Sequence, residues 1–216
     1  MKYDLIIFDL DGTLYEFKKS NIAGEDSRSK FAQEIKRRGI DAISKKLLVP
    51  LENASKIWTE MSSRYSGQVS IGLERELAIP RSDYLSYAFG MKPADYICFD
   101  KKTRKIIKGI EYKKCILSTA PRVWIDKVLD YMGLEKTFSN IWSGDGDIRK
   151  PQEGAYRQVL EYFNIPVANT LMIDDEAKNL EVAKNLGIAT VLIGQDRKSF
   201  IDYNLDSIVN METILK

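Results

Sequence analysis

A small set of polar side chains in this 216-residue chain could do chemistry together if the fold gathered them. Asp9 and Asp11 stand two apart, straight after the apolar run Leu5-Ile6-Ile7-Phe8, and Gly12-Thr13-Leu14 follows. Asp174 and Asp175 come after another apolar run, Thr170-Leu171-Met172-Ile173. Ser118 and Thr119 come after Cys115-Ile116-Leu117, and Lys150 lies beyond the Gly-rich loop Ser143-Gly144-Asp145-Gly146-Asp147. Four carboxylates in a poorly solvated cleft repel one another, and some would bind protons instead of staying charged. A hard divalent cation removes that conflict: Mg²⁺ takes oxygen ligands, a few from carboxylates and the rest from water and phosphate. A lysine adds a point positive charge suited to phosphate oxygens. Ser118 adds a hydroxyl donor, and the turn from Leu10 to Gly12 can aim backbone N–H groups at an anion. Together these groups suit a transferring phosphoryl group.

Each member also has a bland reading. Asp9 and Asp11 could be turn residues, Ser118 a strand-end hydroxyl and Lys150 a solvated loop lysine. Asp174 or Asp175 could simply cap the helix that follows. Only the combination, in this order and at these places, points to chemistry.

The elements that must position these groups can be read from hydrophobic patterning. Leu5–Phe8, Cys115–Leu117, Asn140–Ser143, Thr170–Ile173 and Ala189–Ile193 read as short buried strands, with Ser207–Val209 as a last edge strand before a terminal helix. Helices fall between them: one capped by Asp100, one from Pro121 to Met132 stopped by Gly133, one carrying Ala155, Tyr156, Val159, Leu160 and Phe163, and one stopped by Gly187. Such alternation predicts an α/β fold, a doubly wound, mostly parallel Rossmann-like sheet. Ligands then bind beyond the carboxyl ends of the strands, where all the chemistry-bearing residues fall. Residues 16–90 differ. They read as all-helical: Asp26 to Arg38 with Gly39 as its stop, a shorter helix from Asp41, one from Leu51 to Tyr65, one from Ser70 to Ala78, and one from Ser82 to Phe89. In the Leu51–Tyr65 helix, Leu51, Ala54, Ile57, Trp58, Met61 and Tyr65 share one face. The expected division is therefore a core of residues 1–15 with 91–216 and an inserted helical subdomain of 16–90.

Composition narrows the classes. Net charge is +2, from 33 basic and 31 acidic residues, and the lysine pairs are scattered, so a nucleic-acid polymer is not an expected partner. There is no histidine, which excludes His-dependent zinc sites and Ser-His-Asp triads. Cys98 and Cys115 form no Cys-x-x-Cys motif and read as two buried thiols in a reducing compartment. Without a long apolar run or a signal-peptide pattern, the expectation is a cytoplasmic protein without a membrane partner. A monomer or homodimer is expected. Trp58, Trp124 and Trp142 read as core aromatics.

Asp9-Leu10-Asp11-Gly12-Thr13 resembles the first motif of the haloacid dehalogenase-like hydrolase superfamily. Ser118, Lys150-Pro151 and Asp174-Asp175 are similar to its second, third and fourth motifs. The resemblance spans residues 3 to about 193. It implies that Asp9 is a nucleophile forming an aspartyl-phosphate. It makes Asp11 the general acid and base, with a backbone carbonyl on the metal. Ser118 and Lys150 would hold the phosphoryl group and nucleophile, with Thr119 and Gly12 beside the substrate. Asp9, Asp11, Asp175 and Asp174 would form the Mg²⁺ site, Asp175 being the more direct ligand. Asn179 falls where some members carry another acid. The inserted helices then resemble a cap.

An acid at position 11 favours phosphate-ester hydrolysis over dehalogenation, because a halide leaves without a proton. Phosphomutases share the Asp pair, and a non-catalytic binding protein on the same fold is a further reading. A narrower resemblance, to the pyrimidine 5′-nucleotidase-like branch, rests on Gly72-Leu73, Arg81–Tyr84, Leu117–Ala120, Asp174–Asn179 and Asp202–Ile208. This chain has Thr119 where that branch usually has Asn, and Glu176 where it has Ser. The resemblance implies a small phosphorylated substrate, with nucleoside monophosphates among the candidates.

Overall fold

The structure, a computed structural model, describes residues 3–18 and 27–215. In chain order its elements are β1 (Leu5–Phe8), β2 (Glu16–Phe17), α1 (Ser27–Leu47), α2 (Leu51–Arg64), α3 (Val69–Leu77), α4 (Arg81–Ala88), α5 (Pro93–Tyr96), β3 (Ile97–Cys98), α6 (Lys101–Gly109), β4 (Lys113–Leu117), α7 (Arg122–Met132), β5 (Asn140–Trp142), α8 (Glu153–Phe163), β6 (Thr170–Asp174), α9 (Ala177–Asn185), β7 (Ala189–Ile193) and β8 (Tyr203–Leu205). The chain divides into two compact units, residues 1–17 with 97–216, and residues 18–96.

The first unit is built on a six-stranded sheet in the order β5-β4-β1-β6-β7-β8, with every neighbouring pair parallel. Each residue of β1 is buried, as a central parallel strand with covered faces requires. Phe8 lies opposite Ile116 on β4 and Ile173 on β6. The three strands therefore end together, and Asp9, Ser118 and Asp174 emerge at one edge of the sheet. Leu5, Ile7, Leu117, Tyr156, Val159, Met172 and Leu180 join in one core cluster that ties α8 and α9 to the sheet. The Asp100 carboxylate caps α6 by accepting from Lys102 N at 2.8 Å, and Gly133 ends α7 in the left-handed conformation, as predicted.

Three readings of this unit need correction. The edge strand is Tyr203–Leu205, which pairs with β7; Ser207 instead caps a short 3₁₀ helix, accepting from Val209 N at 3.5 Å. Ser207, Ile208 and Val209 read as a strand because β propensity alone does not say which of two adjacent short runs meets the sheet edge. Cys98 is exposed, whereas Cys115 is buried. Cys98 lies on β3, which pairs antiparallel with β2 in a separate two-stranded ribbon. Strand alternation turns Ile97 inward and Cys98 outward there. This ribbon was not expected, since two-residue strands leave no periodicity to detect.

The second unit is helical throughout its described residues. Ile43, Ala54, Met61, Val69, Leu73, Ile79, Tyr84 and Ala88 form its core. Here Gly39 is not a helix stop: α1 runs through it and through Asp41 to Leu47. A Cβ at Gly39 would come within 2.4 Å of the Tyr84 hydroxyl oxygen, so the glycine lets α4 approach α1 closely. That contact outweighs the roughly 1 kcal/mol that glycine costs inside a helix. Asp41 forms a surface ion pair with Lys45 at 2.9 Å instead of capping a new helix. Leu51 is exposed, because a first-turn side chain leans back past the end of its own helix. The predicted cap Asp26 lies outside the described residues. No helix among the described residues is long and apolar enough to cross a membrane.

Candidate active site

All the chemistry-bearing side chains predicted for the core lie in the first unit, on segments that leave the carboxyl ends of β1, β4, β5 and β6. Burial sets their behaviour. Asp9 is 6% exposed, Lys150 5% and Asp174 0%. A buried charge is tolerated only when paired. Here Lys150 Nζ donates to Asp9 Oδ1 and to Asp174 Oδ2, both at 2.6 Å. Burial works against the ammonium, but Asp174 and Asp9 outweigh it and push Lys150 above the usual lysine range.

Two carboxylates on one ammonium leave negative charge in excess. Burial pushes Asp9 up to about 6; Lys150 opposes that shift, and the charges of Asp175 and Asp11 add to it. Asp174 is likewise pushed up to about 6, by burial first, against Lys150 and with Asp9. One carboxylate oxygen from each of Asp9, Asp174 and Asp175 lies within 4.8 Å of the others. An all-oxygen donor set that is short of positive charge fits a hard divalent cation.

Asp174 differs from its neighbour. Its Oδ1 accepts from Glu176 N at 2.8 Å, and the Asn179 amide donates to both of its oxygens at 3.1 Å. With Lys150 added, four hydrogen bonds occupy a group that has about four acceptor sites. Asp174 is therefore the anchor of Lys150. Asp175, half-buried, accepts from Thr13 Oγ1 at 3.5 Å; the same hydroxyl lies 3.4 Å from Asp9 Oδ2.

The loops explain the glycines. Gly12 takes φ +91°, a conformation open to glycine, so that the chain can turn directly after Asp11. Thr13 N and Leu14 N then both donate to Leu10 O, closing the turn. Gly144 packs on the second motif: a Cβ there would stand 1.9 Å from the Thr119 carbonyl oxygen. Ser118 is buried, and its Oγ accepts from Ala120 N at 3.1 Å. Among the described residues it makes no hydrogen bond to the carboxylates. Thr119 is exposed at the same strand end.

The Asp11 side chain is not in the carboxylate cluster. Its Oδ1 accepts from the Tyr15 hydroxyl and from Trp124 Nε1, the latter at 3.2 Å, and Trp124 Nε1 also lies 3.3 Å from the Tyr15 hydroxyl. The metal contact that the resemblance implies for Asp11 is through its backbone carbonyl. Thr13, Tyr15 and Trp124 were not expected in these roles. Trp124 is fully buried, in keeping with a core aromatic, and nothing in the pattern of α7 shows where its N–H points. Thr13, four residues after Asp9, is the one that spacing could have found.

Known proteins resemble this chain over most of its length. The family model described as haloacid dehalogenase-like hydrolase matches residues 3–187. A phosphoglycolate phosphatase of Psychrobacter arcticus is 25% identical over 200 residues, covering 88% of this chain and 83% of that protein. Among solved structures, a HAD phosphatase from Thermococcus onnurineus is similar with a TM-score of 0.64 at 19% identity, over 100% of this chain and 98% of that one. A predicted phosphoglycolate phosphatase from Haemophilus somnus gives 0.65 at 16% identity, over 100% and 99%.

Proposed function

The chain belongs to the haloacid dehalogenase-like hydrolase family, and from that premise we propose that it hydrolyses small phosphoric monoesters through an aspartyl-phosphate, with Mg²⁺ as cofactor. The observation that carries this reading is the buried bridge from Lys150 to Asp9 and Asp174, with Asp175 within 4.8 Å.

Asp9 is the nucleophile. One of its oxygens bonds to phosphorus while the bond from phosphorus to the ester oxygen breaks. Asp11 gives a proton to that departing oxygen, so an alcohol leaves. Asp11 then takes a proton from a water molecule, whose oxygen attacks phosphorus and releases inorganic phosphate and Asp9. Lys150 holds Asp9 in place and keeps it ionised against burial, and Asp174 holds Lys150. Ser118, Thr119 and the Gly12 turn receive the phosphoryl oxygens. The cation would be held by Asp9, Asp175 and the Asp11 carbonyl, and when bound it neutralises charge on the phosphoryl oxygens. By its place in the chain, directly after the first motif, the helical unit is proposed as the substrate-selecting cap.

Two relatives are named phosphoglycolate phosphatases, which puts a short phosphorylated carboxylic acid first among substrates; nucleoside monophosphates come second, from the sequence motifs. Hydrolysis of a chromogenic aryl phosphate in Mg²⁺ and in chelator, followed by a panel of phosphate esters, tests the proposal. Metal-dependent turnover supports it. Absence of turnover would leave a binding protein, and halide release from a chloro-acid would indicate a dehalogenase.

A further inference from the structure

The Asp11 clamp has a chemical consequence. Tyr15 is 3% exposed and Trp124 0%, so their polar hydrogens need partners inside the protein. Both find the same atom, Asp11 Oδ1. The two donors also bond to each other, Trp124 Nε1 donating to the Tyr15 oxygen, so the three groups form one closed network. A backbone bridge between Asp11 and Tyr15 holds the ends of the turn in register. Two donors on one oxygen fix the orientation of the Asp11 carboxyl group.

We propose that Tyr15 and Trp124 are positioning residues that hold Asp11 by its Oδ1 and so orient the general acid toward the departing oxygen of esters of ordinary alcohols. This rests on the phosphatase reading above. It goes further by naming the two residues that orient the acid, a role that tells most on alkyl phosphates, whose leaving oxygen must be protonated as it departs. Aryl phosphates of acidic phenols need that proton far less. The atoms balance simply: the proton leaves the Asp11 carboxyl as the phosphorus–oxygen bond breaks, and it ends on the alcohol.

The test compares kcat/KM for p-nitrophenyl phosphate with that for the alkyl phosphate the parent hydrolyses fastest, phosphoglycolate being tried first. Tyr15→Phe and Trp124→Phe should each lose about 10- to 100-fold on the alkyl ester, a fraction of a general acid's usual contribution, and only a few-fold on the aryl ester. In an Asp11→Asn background, Tyr15→Phe should change alkyl-ester turnover by less than about twofold, because the group it positions is gone. Equal losses on both esters, or a full further loss in the Asp11→Asn background, would overturn the positioning role. Should Trp124→Phe fail to fold, Tyr15→Phe, which removes a single oxygen, decides the matter. A parent that hydrolyses neither ester with Mg²⁺ overturns the phosphatase reading and this one with it. A parent that is active while its variants lose equally on both esters overturns this one alone.

Discussion

Replacing Lys150 by methionine removes the ammonium that the buried carboxylates share, while keeping much of its stem. Two hydrogen bonds of 2.6 Å are lost, and Asp9 and Asp174 are left facing each other in the interior. Breaking a buried pair in this way costs about 3–5 kcal/mol. The carboxylates can escape by binding protons, which sets a ceiling that depends on pH. Protonating one ordinary carboxyl costs about 5 kcal/mol at pH 7.5 and about 2 kcal/mol at pH 5.5. In the parent, Asp9 and Asp174 are already pushed up to about 6. Their folded forms therefore hold protons more tightly than the unfolded chain does. The contribution of these two groups to stability is larger at low pH, falls as pH rises from about 4 to about 6, and is level above that. Without Lys150, which holds both values down, the decline continues to higher pH, so the gap between the two proteins opens above about pH 6. Urea denaturation in chelator at pH 5.5 and 7.5 measures this gap. A Trp58→Phe background leaves Trp124 and Trp142, both in the first unit, as the fluorescent reporters. The expected deficit at pH 7.5 is about 3 kcal/mol or more, or roughly 6–12 °C in Tm, shrinking to about 2 kcal/mol or less at pH 5.5. A deficit under about 1 kcal/mol at pH 7.5, or one that does not change with pH, would refute this account of the bridge.

Asp9→Asn should lower kcat for aryl phosphate by roughly 10⁴- to 10⁶-fold with an unchanged circular dichroism spectrum; substantial residual turnover would remove Asp9 as nucleophile. Gly144→Ala would drive a methyl group into the Thr119 carbonyl. We expect a loss of about 1–3 kcal/mol together with a raised KM, and a variant with parental stability would show that the loop yields freely. Asp202 accepts from Lys184 and from the Thr190 backbone and hydroxyl. Burial tends to raise this carboxyl, but those bonds outweigh it and hold it below its ordinary value. Its contribution is present above about pH 4 and is lost as pH falls through the lower folded value. Asp202→Ala should cost about 1–3 kcal/mol at pH 7, a difference that thermal melts at pH 7 and pH 3 should show narrowing in acid.

The strands of the core were legible because a central parallel strand must be apolar along its whole length, and Leu5–Phe8 and Thr170–Ile173 satisfy that without ambiguity. The helix ends around Asp100 and Gly133 were legible for a similarly local reason, since a cap is chemistry within one turn. Where partners come from distant segments, local reading failed. Gly39 is a plausible helix stop until Tyr84 is seen against it, and Ser207–Val209 is as good a strand as Tyr203–Leu205 until β7 selects between them.

At the site itself, residue type and spacing along the chain were enough to nominate Asp9, Asp11, Ser118, Lys150, Asp174 and Asp175. Strand ends are where a parallel sheet releases its polar residues, and the end of a strand can be read from its apolar run. Which partners each carboxylate takes was decided only in three dimensions. Asp174 and Asp175 are adjacent and chemically identical, yet Lys150, Asn179 and Glu176 N take up the oxygens of Asp174, and Thr13 reaches Asp175 instead. Asp11 likewise owes its orientation to Trp124, which is 113 residues away in the chain. A hydrogen bond between distant segments is set by how helices and strands pack, and no window of sequence contains both of its ends.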